Sequence, residues 1–327
     1  MAIKQSDIVL YGSAVMPDSD STTEIGGAIA TSKKMGFADL STPGFVEIVS
    51  SDSSDITQTM TISYRTTAGV LASEVKTLSG LTPVAFVATM ERLLKAIKST
   101  TTAGDVAVMT STAERTGTAQ AGSADTITLD GGASAVDDFY TSMAIRLTSG
   151  TGANQIRSII KYVGSTKVAT VSRAYTTTPD ATSVFRIARG MVFDKLPAEI
   201  SEVRRIFFDA SANPPAGATK TYYDKGFFKN THATLALTSA IVAEVSDPAT
   251  IDFDLETVLD GTTTNGAGNN RQVAPSGFTF ASTNKNVANS QNHTAAAAQG
   301  IWFQLTLVGG AAALNIVYQT KEQGNTT

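Results

Sequence analysis

The sequence contains no cysteine. This absence excludes disulfide bonds, thiolate metal sites and cysteine nucleophiles. Histidine is also scarce: the chain has only His232 and His293, and neither lies within about five residues of a second histidine, as zinc-binding pairs usually do. We therefore predict no metal site and no cofactor that depends on these side chains, and we interpret both histidines as structural or solvated residues.

Charged residues are few, at 17% of the chain against about a quarter in ordinary globular proteins. The formal net charge is -4, and lysine and arginine are scattered rather than gathered in a basic stripe. Nucleic-acid binding needs a concentrated positive surface, so we expect no nucleic-acid partner. A low charge suits antiparallel β-structure, and it also suits a surface that neighbouring copies cover, because packed copies then repel each other less.

Long hydrophobic runs are absent as well. The apolar run near the amino terminus spans only Ile8–Tyr11, which is too short for a secretory signal. No segment approaches the roughly 20 apolar residues of a membrane-spanning helix. We therefore expect a chain that is made in the cytoplasm and has no membrane partner.

The chain has instead many short stretches with the alternating pattern of half-buried β-strands. Four of them fall between Met143 and Ala188, where small polar turns join them. Pro179 marks one of these turns, since proline cannot extend a central strand. The segment predicts a small β-barrel or β-roll. Its predicted strands are Ile145–Thr148, Ile156–Tyr162, Lys167–Val171 and Val184–Ile187.

Further strands are predicted on both sides of this segment. Met60–Arg65 and Val70–Leu78 alternate around a Thr-Gly turn and predict a hairpin. Gly300–Val308 has the strongest strand pattern in the chain, and Leu314–Tyr318 is predicted to return beside it. Pro83–Ser99 is ambiguous, because its apolar residues fit either a helix face or an alternating strand, and we favour the helix.

These patterns predict a mainly β protein with an antiparallel β-sandwich, an inserted small β-barrel and an extended N-terminal arm. The arm is predicted over 1–40, where a polar stretch lacks periodicity and is either disordered or ordered only against a partner. The sandwich is predicted to be discontinuous, over 41–110 and 190–327, and the barrel occupies 111–188 between its two parts.

Three of these segments resemble parts of tailed-bacteriophage virion proteins. Met143–Ala188 is similar to a small β-barrel module of such proteins. The strand that begins Gly300-Ile301-Trp302-Phe303, with the Gly/Ala-rich turn after it, resembles the end of their β-sandwich domains. The hairpin at 59–78 resembles their amino-terminal unit.

The resemblance implies a structural role rather than an enzymatic one. It implies a virion protein assembled in the host bacterial cytoplasm, most simply a capsid-associated decoration or cement protein. Its expected partners are the major capsid protein, other virion proteins and further copies of itself. The arm and exposed strand edges would then extend a neighbour's sheet. A neck, tail or fibre-base protein is an alternative, as is a carbohydrate-binding domain for host recognition.

The search for catalytic motifs gives no candidate catalytic residue. Tyr11-Gly12-Ser13-Ala14 lacks the closing glycine of a nucleophile elbow. Gly150-Thr151-Gly152-Ala153-Asn154 lacks the lysine and the following helix of a phosphate-binding loop, so a hairpin turn is the better interpretation. We therefore predict that the chain is not an enzyme.

Two weaker candidates for binding remain. Asp252, Asp254 and Glu256 alternate on one predicted strand and, with oxygens from Asn265, Asn269 or Asn270, have the chemistry of a calcium site, although a solvated or partner-facing strand is favoured. The aromatic pairs Tyr222-Tyr223 and Phe227-Phe228 flank a predicted exposed turn, Asp224-Lys225-Gly226, and are the candidate sugar-binding residues. Trp302, the only tryptophan, is interpreted as core in preference to an interface anchor.

Overall fold

The structure is a computed structural model that describes residues 2–195, 198–209, 218–246, 251–309 and 318–326. Strand accounts for 50% of the residues and helix for 2%, so the prediction of a mainly β protein is confirmed. The chain divides into two compact units: unit 1 comprises Met1–Met35 with Ile206–Thr327, and unit 2 comprises Gly36–Arg205.

Twenty-three strands are described. They are β1 (Ile8–Val15), β2 (Gly26–Met35), β3 (Val46–Ser50), β4 (Thr59–Thr66), β5 (Leu71–Thr77), β6 (Val84–Ala85), β7 (Met90–Lys98), β8 (Val106–Thr110), β9 (Arg115–Thr118), β10 (Ala121–Gly122), β11 (Thr126–Thr128), β12 (Ala144–Ser149), β13 (Ile156–Val163), β14 (Val168–Val171), β15 (Val184–Ala188), β16 (Gly190–Phe193), β17 (Glu202–Arg204), β18 (Lys220–Asn230), β19 (Leu237–Ser246), β20 (Ile251–Leu259), β21 (Lys285–Asn286), β22 (Ala298–Leu307) and β23 (Gln319–Thr326). A 3-10 turn covers Gln5–Asp7, and a single helical turn, α1, covers Ala288–Gln291.

Unit 1 contains two antiparallel sheets that share one core. The larger has the strand order β20-β22-β18-β1-β2, and the smaller has the order β21-β19-β23. Alternation places Ile301 and Phe303 of β22 in the shared core with Phe253 of β20, and β19 contributes Leu237 and Val242 from the smaller sheet. This arrangement is a β-sandwich, in which two sheets bury their apolar faces against each other.

Unit 2 contains three groups of antiparallel strands. One has the order β17-β7-β4-β5 and a second has the order β16-β8-β3-β6. The third, β10-β11-β14-β13-β12-β15-β9, consists of the strands between residues 115 and 188, within the segment predicted as the inserted barrel. It lies in sequence between β8 and β16, which pair with each other with Met109 opposite Gly190.

The third group of strands closes on itself. β9 pairs with β15 and β10 pairs with β11, and only Ala119 and Gln120 separate β9 from β10. The backbone N–H of Ala119 donates to Ser183 O at 2.8 Å, and that of Gln120 donates to Thr128 O at 2.9 Å. Residues 115–122 therefore join the two edges and form a barrel. Its interior is apolar and includes Ile127, Leu129, Tyr140, Met143, Ile145, Leu147, Ile159, Tyr162, Val171, Phe185 and Ile187.

The helix predicted within Pro83–Ser99 is wrong, because Met90–Lys98 forms strand β7 between β4 and β17. A shift in the register between β4 and β7 explains the helix-like pattern. Ser63 lies opposite Lys95 whereas Tyr64 lies opposite Leu93, so Leu94 is an extra residue. Both Leu93 and Leu94 are buried, and two adjacent apolar residues break the strict alternation that a strand otherwise shows.

The extended arm predicted over 1–40 is not confirmed. β1 pairs with β18, with Ile8 opposite Asn230, and β1 also pairs with β2. The sequence does not indicate these pairings. The stretch between β1 and β2 is polar, and β18 lies far from β1 in sequence. The division into units also differs from the predicted domains. The sequence predicts one sandwich over 41–110 and 190–327, whereas the boundaries in the structure fall at Met35/Gly36 and Arg205/Ile206.

The other predicted strands match the structure closely. The hairpin of β4 and β5 and the strand β22 lie where the alternation placed them. The return strand predicted over Leu314–Tyr318 lies outside the described residues, apart from Tyr318 itself.

Candidate functional site

The acidic strand predicted as a possible calcium site is β20, and two of its carboxylates have cationic partners. Asp254 Oδ1 lies 3.3 Å from Lys285 Nζ, and Asp254 Oδ2 accepts a 2.6 Å hydrogen bond from the backbone N–H of Thr279. Glu256 is buried and forms an ion pair with Lys225. Within the described ranges no group of three or more acidic or histidine side chains has the geometry to hold a metal ion.

The asparagines proposed as further calcium ligands hold their own loop together and join it to Ile25. Asn265 is buried, and its Oδ1 accepts a 2.8 Å hydrogen bond from the backbone N–H of Ile25. Its Nδ2 donates to Asn270 O at 2.7 Å, and Asn269 Nδ2 donates to Asn265 O. The side-chain oxygen of Asn265 is thus engaged by the backbone of Ile25.

The candidate sugar-binding aromatics are not exposed. The predicted turn Asp224-Lys225-Gly226 lies in the middle of β18, and Tyr222, Tyr223, Phe227 and Phe228 are all buried along the same strand. The prediction of an exposed aromatic turn is therefore wrong. Trp302 is also fully buried, which confirms its interpretation as a core residue.

Hydrogen bonds hold both histidines in place. The buried His293 has Nδ1 2.6 Å from Glu322 Oε1 and Nε2 3.0 Å from the carbonyl oxygen of Ala297. His232 Nδ1 accepts hydrogen bonds from the backbone N–H groups of Thr234 and Leu235. These contacts tie loops to strands, which is the structural interpretation made from the sequence.

Unit 1 contains a buried charge that the sequence does not indicate. Lys225 of β18 has no exposed surface, and its Nζ lies 2.6 Å from Glu256 Oε1. The same ammonium donates hydrogen bonds to the carbonyl oxygens of Gly27 and Thr263, both at 3.0 Å, and of Gly261 at 3.1 Å. Burial lowers the pKa of Lys225, against the opposing effect of the Glu256 carboxylate. This network joins β18 and β20 to the segment around Gly261 and has a structural role.

A polar cavity of about 250 Å³ lies in unit 2 beside the barrel. The buried Arg157 donates from Nη1 to Asp105 Oδ2 at 2.8 Å, from Nε to Arg173 O at 3.0 Å and from Nη2 to Ala174 O at 2.8 Å. Arg173 also contacts the Asp105 carboxylate. Burial, with the nearby Arg173, lowers the pKa of Arg157. Since each nitrogen of this guanidinium has a protein acceptor, it holds the barrel to the β8 region and is not free for a ligand.

The strongest candidate for an interaction site is the edge strand β5. It pairs with β4 on one side and, as far as the structure describes the chain, with no strand on the other. Leu78 N donates to Gln58 O and Thr66 N donates to Val70 O, both at 2.9 Å. Hydrogen-bonded pairs alternate along an antiparallel ladder, so the even-numbered residues of β5 bond to β4. The backbone groups of the odd-numbered residues point to the open edge: Leu71, Ser73, Val75 and Thr77.

Apolar side chains are exposed along this edge. Val75 is 54% exposed and Leu71 is 47% exposed, and Val70 lies beside them at 59%. Val75 and Ile97 lie in one row across the sheet, since Thr61 of β4 is opposite both. An unpaired strand edge with apolar side chains is a template for pairing with another chain. We call this surface, formed by Leu71–Thr77 with Val70 and Ile97, the β5 edge.

Sequence reasoning located the strand but not its position at a sheet edge. The pattern Leu-Ala-Ser-Glu-Val-Lys-Thr alternates weakly and has no run of large apolar residues, as is typical of a strand that is exposed on one side. This weak alternation is typical of edge strands, but only the strand order in the structure shows that β5 lies at a sheet edge.

Comparison with known proteins identifies no relative: no family model, curated protein or solved structure matches the chain. Among the described residues no helix has the length and hydrophobicity needed to cross a bilayer.

Proposed function

We propose that this chain is a structural protein of a tailed-bacteriophage virion, associated with the capsid as a decoration or cement protein. The observation that carries the proposal is the β5 edge, where backbone groups that pair with no described strand lie beside exposed apolar side chains on a rigid sheet. A rigid surface loses little conformational entropy when it binds. Repetition around a symmetric shell then multiplies modest contacts.

The composition and the barrel support the same role. Few charges reduce the repulsion between copies packed side by side. The barrel between β8 and β16 contains Met143–Ala188, the segment that resembles a module of phage virion proteins. The four aromatic residues that suggested a carbohydrate-binding domain are buried, so they offer no surface on which a sugar could stack.

Quantitative mass spectrometry of particles purified from the source tests this proposal. The chain is counted against the major capsid protein. We expect about one copy per capsid subunit, or a simple fraction of it, which amounts to hundreds of copies in a particle. About a dozen copies would contradict the decoration role and assign the chain to the neck or tail. Absence from particles would contradict the virion proposal altogether.

A second experiment tests the capsid association directly. Capsids that lack this chain are mixed with the purified protein and sedimented. We expect the protein to sediment with the capsids in saturable amounts. Failure to bind under conditions in which the protein is folded would count against a decoration role.

A further inference from the structure

We propose that the β5 edge pairs with the β5 edge of a second copy, antiparallel, around a two-fold axis at Val75. This inference rests on the proposed function, because it assigns a surface through which copies of a virion component assemble. An isologous contact of this kind uses the same patch on both subunits, so the strand has to be complementary to itself.

The backbone limits the possible registers. Only the odd-numbered residues of β5 have N–H and C=O groups at the open edge, so odd residues must lie opposite odd residues. With Val75 at the axis, Val75 lies opposite Val75 of the second copy, and Ser73 lies opposite Thr77 on either side. These three residue pairs would form about six backbone hydrogen bonds, two for each pair.

The charges select among the registers that remain. With Val75 at the axis, Glu74 of each copy lies opposite Lys76 of the other, which gives two ion pairs. With position 74 at the axis, the two Glu74 side chains lie opposite each other. With position 76 at the axis, the two Lys76 side chains do so. Like charges that lie directly opposite each other destabilise a strand pair, so these two registers are disfavoured. A register with Ser73 at the axis forms no ion pair, so the charges favour the register with Val75 at the axis.

The positions of the side chains in the free subunit fit this arrangement. Glu74 and Lys76 lie on the same face of β5, with Lys76 Nζ 3.1 Å from Glu74 Oε1. Glu74 also accepts a 3.0 Å hydrogen bond from the backbone N–H of Val87, which holds its carboxylate in place. A lysine ammonium has three donors, so Lys76 can bond its own Glu74 and that of the second copy together. On the other face, the row of Ile97, Thr61 and Val75 would continue into the same row of the second copy.

The test is the oligomeric state of the purified full chain, measured by sedimentation equilibrium over a range of concentrations. We expect the wild-type protein to dimerise. Val75→Lys places two lysines at the axis and should weaken dimerisation at least about tenfold. The fold should tolerate it, since Val75 is 54% exposed. The matched control is Val258→Lys, at a 59% exposed valine of β20 in unit 1, which should leave dimerisation unchanged.

Charge exchange tests the register. Glu74→Lys alone and Lys76→Glu alone each place like charges opposite each other and should weaken the dimer. The double exchange E74K/K76E restores opposite charges and should recover most of the affinity. If the double variant dimerises less well than either single variant, the register with Val75 at the axis is wrong.

Other results would overturn the self-pairing itself. A wild-type protein that stays monomeric at every concentration would do so, and the β5 edge would then serve a different partner. Equal dimerisation of Val75→Lys and Val258→Lys would place the contact elsewhere. Neither result affects the copy number in particles, and absence from particles would overturn the proposed function without affecting dimerisation.

Discussion

At the scale of single residues, the burial of Lys225 requires compensation. Withdrawal of an ammonium from water costs several kcal/mol, and an opposite charge offsets that cost only when hydrogen bonds satisfy the remaining groups. Here three carbonyl oxygens surround Nζ in addition to the Glu256 carboxylate. The ring of Phe227 adds a cation–π contact, with its centroid 4.8 Å from Nζ. The network therefore holds β18, β20 and their loops in one arrangement.

Removal of Lys225 should be costly because it leaves Glu256 buried without its partner. We expect Lys225→Met to lower the free energy of unfolding by about 3–5 kcal/mol. The double variant K225M/E256Q should be destabilised by less than the sum of its single variants, because it no longer buries an unpaired charge. Urea denaturation of the four proteins measures this coupling.

Lys285→Met is the matched control for this cycle. It removes the partner of Asp254 on the same strand β20, but both side chains of that ion pair are partly exposed. Its cost should stay below about 1 kcal/mol. Additive effects of K225M and E256Q, within about 0.5 kcal/mol, would show that the two side chains do not act as a pair.

At the scale of the elements, the junction between the barrel and β16 depends on a glycine. Gly190 has φ +148°, and a Cβ there would overlap the carbonyl oxygen of Val108 on the paired strand β8. The close approach lets the chain leave β15 and enter β16 at once. A side chain at this position would therefore separate β16 from β8.

Gly190→Ala should destabilise unit 2 through this clash. Gly69, in the turn between β4 and β5, also has a positive φ of +74°, but a Cβ there meets no atom of the described residues within 4 Å. Gly69→Ala should cost about 1 kcal/mol through backbone strain alone, and Gly190→Ala about 1–3 kcal/mol more. Thermal unfolding of both variants gives the comparison. Equal losses of stability would contradict the role assigned to the contact with Val108.

The strands of the barrel were predictable because their turns are local. Ile156–Tyr162 was predicted and Ile156–Val163 is observed, and Val184–Ile187 extends by one residue to Ala188. The sequence does not predict β7, because the extra residue in its register is set by pairing with β4. The pattern of apolar residues within Pro83–Ser99 contains no information about that pairing. The Lys225–Glu256 pair was missed for a related reason. The two residues lie on strands that flank β22, and nothing in either local sequence indicates that order.

At the scale of the whole molecule, unit 2 has the features of an independent folding unit. Its two ends meet, since Gly36 N donates to Arg204 O at 3.2 Å. Asp39 connects the first segment to the rest of the unit: its carboxylate accepts hydrogen bonds from Leu93 N at 2.9 Å and from Arg205 Nη1 at 3.0 Å. Burial raises the pKa of Asp39 in spite of the neighbouring Arg205. Ala38 packs in the core of the barrel.

We therefore expect residues 36–205 to fold when expressed alone, with one cooperative thermal transition. The matched fragment, 41–205, begins at the domain boundary predicted from the sequence and lacks Ala38 and Asp39. It should be less stable by about 1–3 kcal/mol, because the groups that bonded Asp39 lose their partner. Circular dichroism and calorimetry of the two fragments measure the difference. An unfolded 36–205 fragment, or equal stability of the two, would contradict this division of the chain.

The pairing of β1 with β18 also has a consequence for the order in which the protein folds during synthesis. Ile8 is made before unit 2, but its partner Asn230 follows only after the whole of unit 2. Domains form as their sequence leaves the ribosome, and distant contacts form late because a long loop must close first. Unit 2 is thus complete while β1 still lacks one neighbour. β1 therefore keeps an open edge for as long as unit 2 takes to be synthesised, and an open edge exposes a nascent chain to aggregation.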